Sequence, residues 1–161
     1  MLETEEASFA EFFRREYETL FRAIYLLSGD RFEAEDLAQG AFVKAWERWA
    51  RVSAMKNPTG YLYTTALNAR RSYLKRASMS ARRALSIHED DPVSQTDDRD
   101  RIRRALALLP AGQREALVLV EWLGLSDVEA GRTLGISAGA VRVRVSRAKT
   151  ALRPLIEGET E

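Results

Sequence analysis

Cationic side chains concentrate in two stretches of the sequence that contain no acidic residue. The first stretch lies between Glu47 and Glu89, and the second lies between Glu129 and Glu157. Lysine and arginine neutralise phosphates, and arginine also donates paired hydrogen bonds to guanine edges. One basic stretch alone is most often a solvated surface. Two of them, separated by the acidic segment 89–98, indicate a nucleic acid contacted at two places.

Three carboxylates, Glu33, Glu35 and Asp36, raise the alternative of a metal-dependent nuclease site. Such a site would need a second acidic cluster or a histidine beside them, and the single histidine, His88, is predicted to be a solvated linker residue. The sequence has no cysteine, which excludes disulfides and thiolate metal sites. We therefore expect no catalytic residue, no metal site and no cofactor.

A segment near the C-terminus, ISAGAVRVRVSRAK at residues 136–149, fits two kinds of secondary structure. Its centre alternates apolar and cationic residues, as a half-buried β-strand does. Apolar residues also recur at steps of four and three, at Val141, Val145, Ala148, Leu152 and Leu155. That spacing is helical. It turns Val143 to the outer face, among Arg142, Ser146 and Arg147.

A short helix is predicted immediately before this one. Ser126 is a candidate N-cap with Glu129 three residues later, and Gly135 is a stop signal. The apolar residues of this helix are Val128 and Leu134. Ser137 supplies the N-cap of the following helix, two residues past the stop. Two helices joined by so tight a turn predict a helix-turn-helix.

Three further helices are predicted in the N-terminal half. The first runs from about Ser8 to Leu27, and the second follows Ser28-Gly29-Asp30. Their apolar faces contain Phe9, Phe13, Tyr17, Leu20, Phe21, Ile24 and Leu27, then Leu37, Ala38, Ala41, Ala45 and Trp49. Asn57 and Pro58 begin the third helix, which ends near Arg76. It buries Leu62, Ala66, Ala69 and Tyr73 and exposes Thr64, Asn68, Arg71 and Lys75.

Helical periodicity fails over residues 78–99, where HEDDPVSQTDD is acidic, contains proline and is poor in apolar residues. Helices resume at Arg101–Leu109 and continue past Pro110 into the helix-turn-helix. The fold class is therefore all-α, with two small helical domains, 1–77 and 100–157, joined by a flexible linker, 78–99. The acidic N-terminus and the absence of a long apolar run predict a cytoplasmic protein without membrane insertion.

Three segments together resemble a known family. They are YLLSGDRFEAEDLAQGAFVKAWERW, NPTGYLYTTALNARRSYLKR and ALALLPAGQREALVLVEWLGLSDVEAGRTLGISAGAVRVRVSRAKTAL. In order and spacing they resemble the extracytoplasmic-function sigma factors, the two-domain initiation factors of bacterial RNA polymerase. The resemblance implies core polymerase as a partner, contacted at the β′ clamp helices and the β flap. It also implies promoter DNA, and an anti-sigma factor that holds the protein inactive.

The resemblance also implies roles for individual residues. It assigns core polymerase binding to Glu35, Asp36 and Gln39. It assigns recognition and melting of the −10 promoter element to Arg51, Ser53, Lys56, Asn57, Tyr61, Asn68, Arg71 and Lys75. It assigns recognition of the −35 element to Arg142, Val143, Ser146, Arg147 and Lys149. The family usually has an acidic residue where this sequence has Gly40, so the resemblance does not support the salt bridge expected there.

Aromatic residues allow both a core role and a role in binding bases. Trp49 and Tyr73 lie on apolar stripes, and we predict both to be core residues. Tyr61 lies beside the start of its helix and faces the basic loop, where an aromatic ring can stack on an unpaired base. For Tyr61, stacking and packing both remain open.

Two other classes of protein also fit parts of the sequence. A stand-alone helix-turn-helix repressor would explain the C-terminal half, but it needs a dimerisation or effector domain that the N-terminal half does not resemble. An adaptor that binds polymerase without reading DNA would explain the acidic second helix but not two basic stretches. Binding to promoter DNA with and without core polymerase separates the three classes.

Overall fold

The computed structural model describes residues 2–81 and 97–157. Within these two ranges every regular element is helical and no β-strand occurs, which confirms the all-α prediction. The described residues form two compact units, one of residues 2–24 and 32–81 and the other of residues 25–31 and 97–157. None of their helices is long and apolar enough to cross a membrane.

The N-terminal unit has one helix more than the three predicted. Its elements are α1 (Leu2–Ser28), α2 (Arg31–Glu47), α3 (Trp49–Ser53) and α4 (Pro58–Ala81). The five-residue helix α3 separates Trp49 from α2, to which the sequence pattern had assigned it, and it buries Trp49 and Val52. Gly29, with φ of 69°, ends α1 in the left-handed conformation that glycine adopts without strain.

The C-terminal unit has the predicted four helices. They are α5 (Asp97–Ala107), α6 (Ala111–Leu117), α7 (Asp127–Leu134) and α8 (Ala138–Glu157). A π-helical turn, Val118–Trp122, continues α6. Most of the predicted linker 78–99 consists of residues 82–96, which include His88 and lie outside the described residues. Because α4 reaches Ala81 and α5 begins at Asp97, the two helices include the first and last residues of the predicted linker.

Aromatic side chains form much of the N-terminal core. Phe12 is buried and packs on Phe42 and Trp49, with ring centroids 6.0 and 5.1 Å apart. The predicted inward face of α1 included Phe13 instead, and this was wrong in part because Phe13 is 38% exposed. Phe12 leads the buried series at steps of four, through residue 16 to Leu20, and Phe13 lies at the edge of that face.

The buried stripe of α4 ends earlier than predicted. Leu62 and Ala66 are buried as expected, but Tyr73 is 43% exposed and is not a core residue. Each residue from Arg71 to Arg76 is exposed, so the buried stripe of α4 ends at Arg70. The helical spacing of apolar residues does not by itself show which turns of α4 pack against other helices.

The helix-turn-helix forms from local signals. The Glu129 N–H donates to Ser126 Oγ, and the Ser126 hydroxyl donates to Glu129 Oε1, each at 3.1 Å. This reciprocal pair caps the start of α7. Gly135 ends α7 with φ of 71°. The Ala140 N–H donates to Ser137 Oγ at 3.1 Å and caps α8.

Two residues of the apolar patterns that predicted the helix-turn-helix are exposed. Val128 is 53% exposed, because α7 packs through Ala130, Gly131 and Thr133. Leu155 is 36% exposed, since the buried stripe of α8 ends at Leu152.

Gly40 is an exposed glycine inside α2, and a Cβ atom added there would meet nothing within 4 Å. Gly40→Ala is therefore expected to stabilise the N-terminal unit by up to about 1 kcal/mol, because alanine loses less backbone entropy in a helix. Thermal unfolding measures the change. Gly60→Ala is the control, since its Cβ would lie 2.5 Å from Asn57 Nδ2. A Gly40→Ala protein less stable than the wild type would contradict the prediction.

Candidate nucleic-acid interface

The start of α4 and the loop before it form the first candidate surface. The Gly60 N–H donates to Asn57 Oδ1 at 3.0 Å, so Asn57 caps α4 as predicted. Arg51 and Ser53 are exposed on α3, and Lys56 is exposed in the loop between α3 and α4. The helix α3 and this loop therefore present cationic and polar groups beside a fixed helix terminus.

The predicted DNA-facing residues of α4 share one side of the helix. Tyr61, Asn68, Arg71 and Lys75 follow one another at steps of seven, three and four, which places them in one row. Asn68, Arg71 and Lys75 are exposed, and Tyr61 is half-buried. The row gives a partly open aromatic ring at the capped end and polar groups along the rest of the helix.

Arg70 lies outside this row. It is a cation of the first basic stretch, but it is 8% exposed and so is not available for a phosphate contact. Its Nε lies 4.0 Å from Glu33 Oε1, and both side chains are less than one-tenth exposed. Arg70 follows Ala66 by four residues on the buried stripe, which is the signal that could have identified it.

The three carboxylates Glu33, Glu35 and Asp36 of α2 differ in their surroundings. Glu33 points inward towards Arg70, whereas Asp36 is exposed. No group of three metal-binding side chains occurs among the residues that the structure describes.

Glu16 is a buried carboxylate that was not predicted from the sequence. The Tyr63 hydroxyl donates to Glu16 Oε2 at 2.6 Å, and the Thr59 hydroxyl donates to Glu16 Oε1 at 3.2 Å. Burial raises the pKa of the Tyr63 phenol, and the hydrogen bond to Glu16 raises it further. These bonds join α1 to the first two turns of α4, on either side of Tyr61. The signal in the sequence is a carboxylate on the apolar stripe of α1.

The second candidate surface lies on α2. Asp36 and Gln39 are exposed, and Glu35 is partly buried beside them. Val43 and Trp46 continue the row of Asp36 and Gln39 at steps of four and three, and they are 56% and 40% exposed. Polar groups followed by apolar ones along one exposed helix face are suited to docking another protein.

The third candidate surface is the outer face of α8. Val143 is 48% exposed, which confirms its predicted outward position. The remaining residues predicted for this face are exposed too: Arg142, Ser146, Arg147 and Lys149. On the opposite side Val141, Val145, Ala148 and Leu152 are buried. A capped helix with a cationic face and one apolar side chain can enter a major groove.

Two cations of this face form ion pairs within the C-terminal unit. Arg142 Nη1 lies 3.5 Å from Asp127 Oδ2, and Lys149 Nζ lies 2.6 Å from Glu121 Oε1. Arg147 makes no such pair within the described ranges. Neither pair was predictable from the sequence, because Asp127 and Glu121 belong to other elements than α8.

Comparisons with known proteins match both units. Residues 12–79 match the family model for sigma-70 region 2, and residues 99–152 match that for sigma-70 region 4. The RNA polymerase sigma-E factor of Streptomyces avermitilis is 29% identical over 160 residues, which cover 98% of this chain and 89% of that protein. The ECF RNA polymerase sigma factor SigM of Mycobacterium tuberculosis is 30% identical over 154 residues, which cover 92% and 77%.

A solved structure has a similar fold. The sigma factor RpoE from Bartonella quintana, crystallised with the anti-sigma factor NepR, is 26% identical. It superposes with a TM-score of 0.78, and the match covers 93% of this chain and 97% of that one. A second structure, CnrH in complex with the cytosolic domain of CnrY, has a TM-score of 0.66 at 24% identity and supports the fold alone.

Proposed function

Since this chain belongs to the extracytoplasmic-function family of RNA polymerase sigma factors, we propose that the three surfaces described above have separate roles in promoter-specific initiation. The surface on α2 binds core polymerase, and the surfaces on α4 and α8 bind the −10 and −35 elements. The observation that carries this proposal is the pairing of a polar docking face on α2 with two separate cationic helix faces on α4 and α8. A repressor or an adaptor would lack one of these features. The polymerase supplies the phosphodiester chemistry, and this chain supplies binding alone, in the cytoplasm.

The domains that we propose are residues 1–77 for polymerase binding and the −10 element, and residues 100–157 for the −35 element, with 78–99 as the linker. In the first domain, the loop before α4 captures a base and Tyr61 stacks on it. Extruding a base costs a few kcal/mol, which stacking and pocket contacts must offset. Asn68, Arg71 and Lys75 then track the strand along α4.

The partners that we propose are core polymerase, at its β′ clamp helices and β flap, promoter DNA and an anti-sigma factor. The proposal of an anti-sigma factor is supported by the Bartonella quintana structure, in which a sigma factor is bound to an anti-sigma factor. We propose no cofactor.

Core polymerase binding is tested by the double variant Asp36→Ala, Gln39→Ala. Both side chains are exposed, so the fold should remain intact while association with core polymerase weakens by roughly ten-fold or more, as when interface residues are truncated. A pull-down with core enzyme measures the loss, and circular dichroism checks helicity. The control is Glu11→Ala, Thr19→Ala, which removes two exposed side chains of α1. Unchanged affinity in the test variant would refute the role of α2.

Recognition of the −35 element is tested at Val143. An outward valine on a groove-reading helix can contact a thymine methyl group. Val143→Ser should therefore relax preference at one base pair by about 1 kcal/mol, whereas Arg147→Ala should lower promoter affinity more broadly. Promoter selection with each variant is the measurement. Val128→Ser, at a similarly exposed valine of α7, is the control. Identical −35 preferences for Val143→Ser and the wild type would make Val143 an ordinary surface residue.

A further inference from the structure

The cations on the outer face of α8 are not equivalent. Asp127, in the first turn of α7, pairs with Arg142, and Glu121, in the π-helical turn, pairs with Lys149. Arg147 lies between them in the sequence and has no ion pair within residues 100–157. Two acidic residues therefore neutralise two of the three cations assigned to −35 recognition.

A contribution to the stability of the fold does not explain why these two ion pairs are present. The side chains of Arg142 and Asp127 are 64% and 34% exposed, and those of Lys149 and Glu121 are 54% and 41% exposed. Ion pairs so open to solvent contribute little to stability. The buried stripe of α8 and the caps of α7 and α8 already hold the helix-turn-helix together. The location of the pairs on the predicted DNA surface points to a role in binding.

We propose that Asp127 and Glu121 are specificity-determining residues, which hold Arg142 and Lys149 back from the phosphates of non-cognate duplex DNA. This inference rests on the proposed function of α8. Non-specific binding comes from phosphate neutralisation, so a cation already paired with a carboxylate adds little to it. At a cognate −35 element, base contacts of α8 offset the cost of breaking the pairs.

The test measures binding of the full-length chain to two duplexes, one with a selected promoter and one with a scrambled sequence. Fluorescence anisotropy at several KCl concentrations gives the affinity and its salt dependence for the wild type and for Asp127→Asn, Glu121→Gln. The double variant should bind the scrambled duplex about ten-fold more tightly at low salt and with a steeper salt dependence, since two cations are released for phosphate contacts. The ratio of promoter affinity to scrambled affinity should fall.

Matched controls separate this inference from the proposed function. Glu6→Gln, Glu11→Gln makes the same change in net charge at exposed positions of α1, so equal tightening in that variant would overturn the inference. No tightening in Asp127→Asn, Glu121→Gln would overturn it as well. Arg147→Ala tests α8 itself. If Arg147→Ala weakens promoter binding while the acidic variants change nothing, only the inference fails; if Arg147→Ala also has no effect, the DNA-binding role of α8 fails.

Discussion

Replacing Gly131 with valine is expected to unfold the helix-turn-helix and to abolish recognition of the −35 element. A Cβ atom on Gly131 would lie 2.6 Å from the Ile136 carbonyl oxygen and 3.4 Å from the Ala138 backbone nitrogen. The contact is with backbone, which cannot rotate away as a side chain would. The Ile136 N–H also donates to the Gly131 carbonyl at 2.9 Å, so relieving the clash would break the turn. We expect the free energy of unfolding to fall by about 3 kcal/mol or more, which is the upper range for substitutions that overpack a core.

Chemical denaturation followed by circular dichroism measures this loss. The matched control is Gly139→Val on α8, because a Cβ there would meet only side-chain atoms, with the nearest, Arg142 Nη2, at 3.7 Å. Both variants place the same β-branched residue in a helix, so their difference isolates the clash at the turn. A Gly131→Val protein as stable as Gly139→Val would contradict the packing of α7 against the turn.

Replacing Glu16 with alanine is expected to destabilise the N-terminal unit by about 3 kcal/mol. The change removes the acceptor of the Tyr63 hydroxyl, and the Tyr63 side chain is buried. A buried donor without a partner costs about 1–3 kcal/mol, and the truncated side chain leaves a cavity beside it. Because Glu16 also bonds Thr59, the first turns of α4 lose their tie to α1. Binding to single-stranded −10 DNA should weaken in parallel.

A double-mutant cycle with Tyr63→Phe isolates the hydrogen bond. The losses in unfolding free energy caused by Glu16→Ala and by Tyr63→Phe should differ in sum from the loss in the double variant by about 1 kcal/mol or more, as for residues in direct contact. Glu18→Ala provides the control, since its side chain is 71% exposed. If Glu16→Ala costs no more than Glu18→Ala, the carboxylate does not hold α4 in place.

The helix-turn-helix was predictable because its determinants are local. Ser126, Gly135 and Ser137 act on backbone groups within a few residues of themselves. The helical spacing of Val141 and Val145 then decided against a strand, which correctly turned Val143 outward. The same reasoning located the Asn57 cap of α4.

Contacts between distant residues were not predictable in the same way. Tyr73 and Arg70 are three residues apart on α4, yet Tyr73 is exposed and Arg70 is buried, because burial depends on which helix covers each turn. The bonds from Glu16 to Thr59 and Tyr63 cross more than forty residues. The pairing of Asp127 with Arg142 likewise requires the relative placement of α7 and α8. The roles of the polymerase-facing and DNA-facing residues remain predictions.

The most direct test of the proposed function is transcription in vitro by core RNA polymerase with and without this chain, on a library of randomised promoters. We predict that addition of the chain yields transcripts from a discrete subset of templates that share one −35 and one −10 element at fixed spacing. Transcripts that do not differ from those of core polymerase alone would contradict the assignment of promoter recognition to α4 and α8.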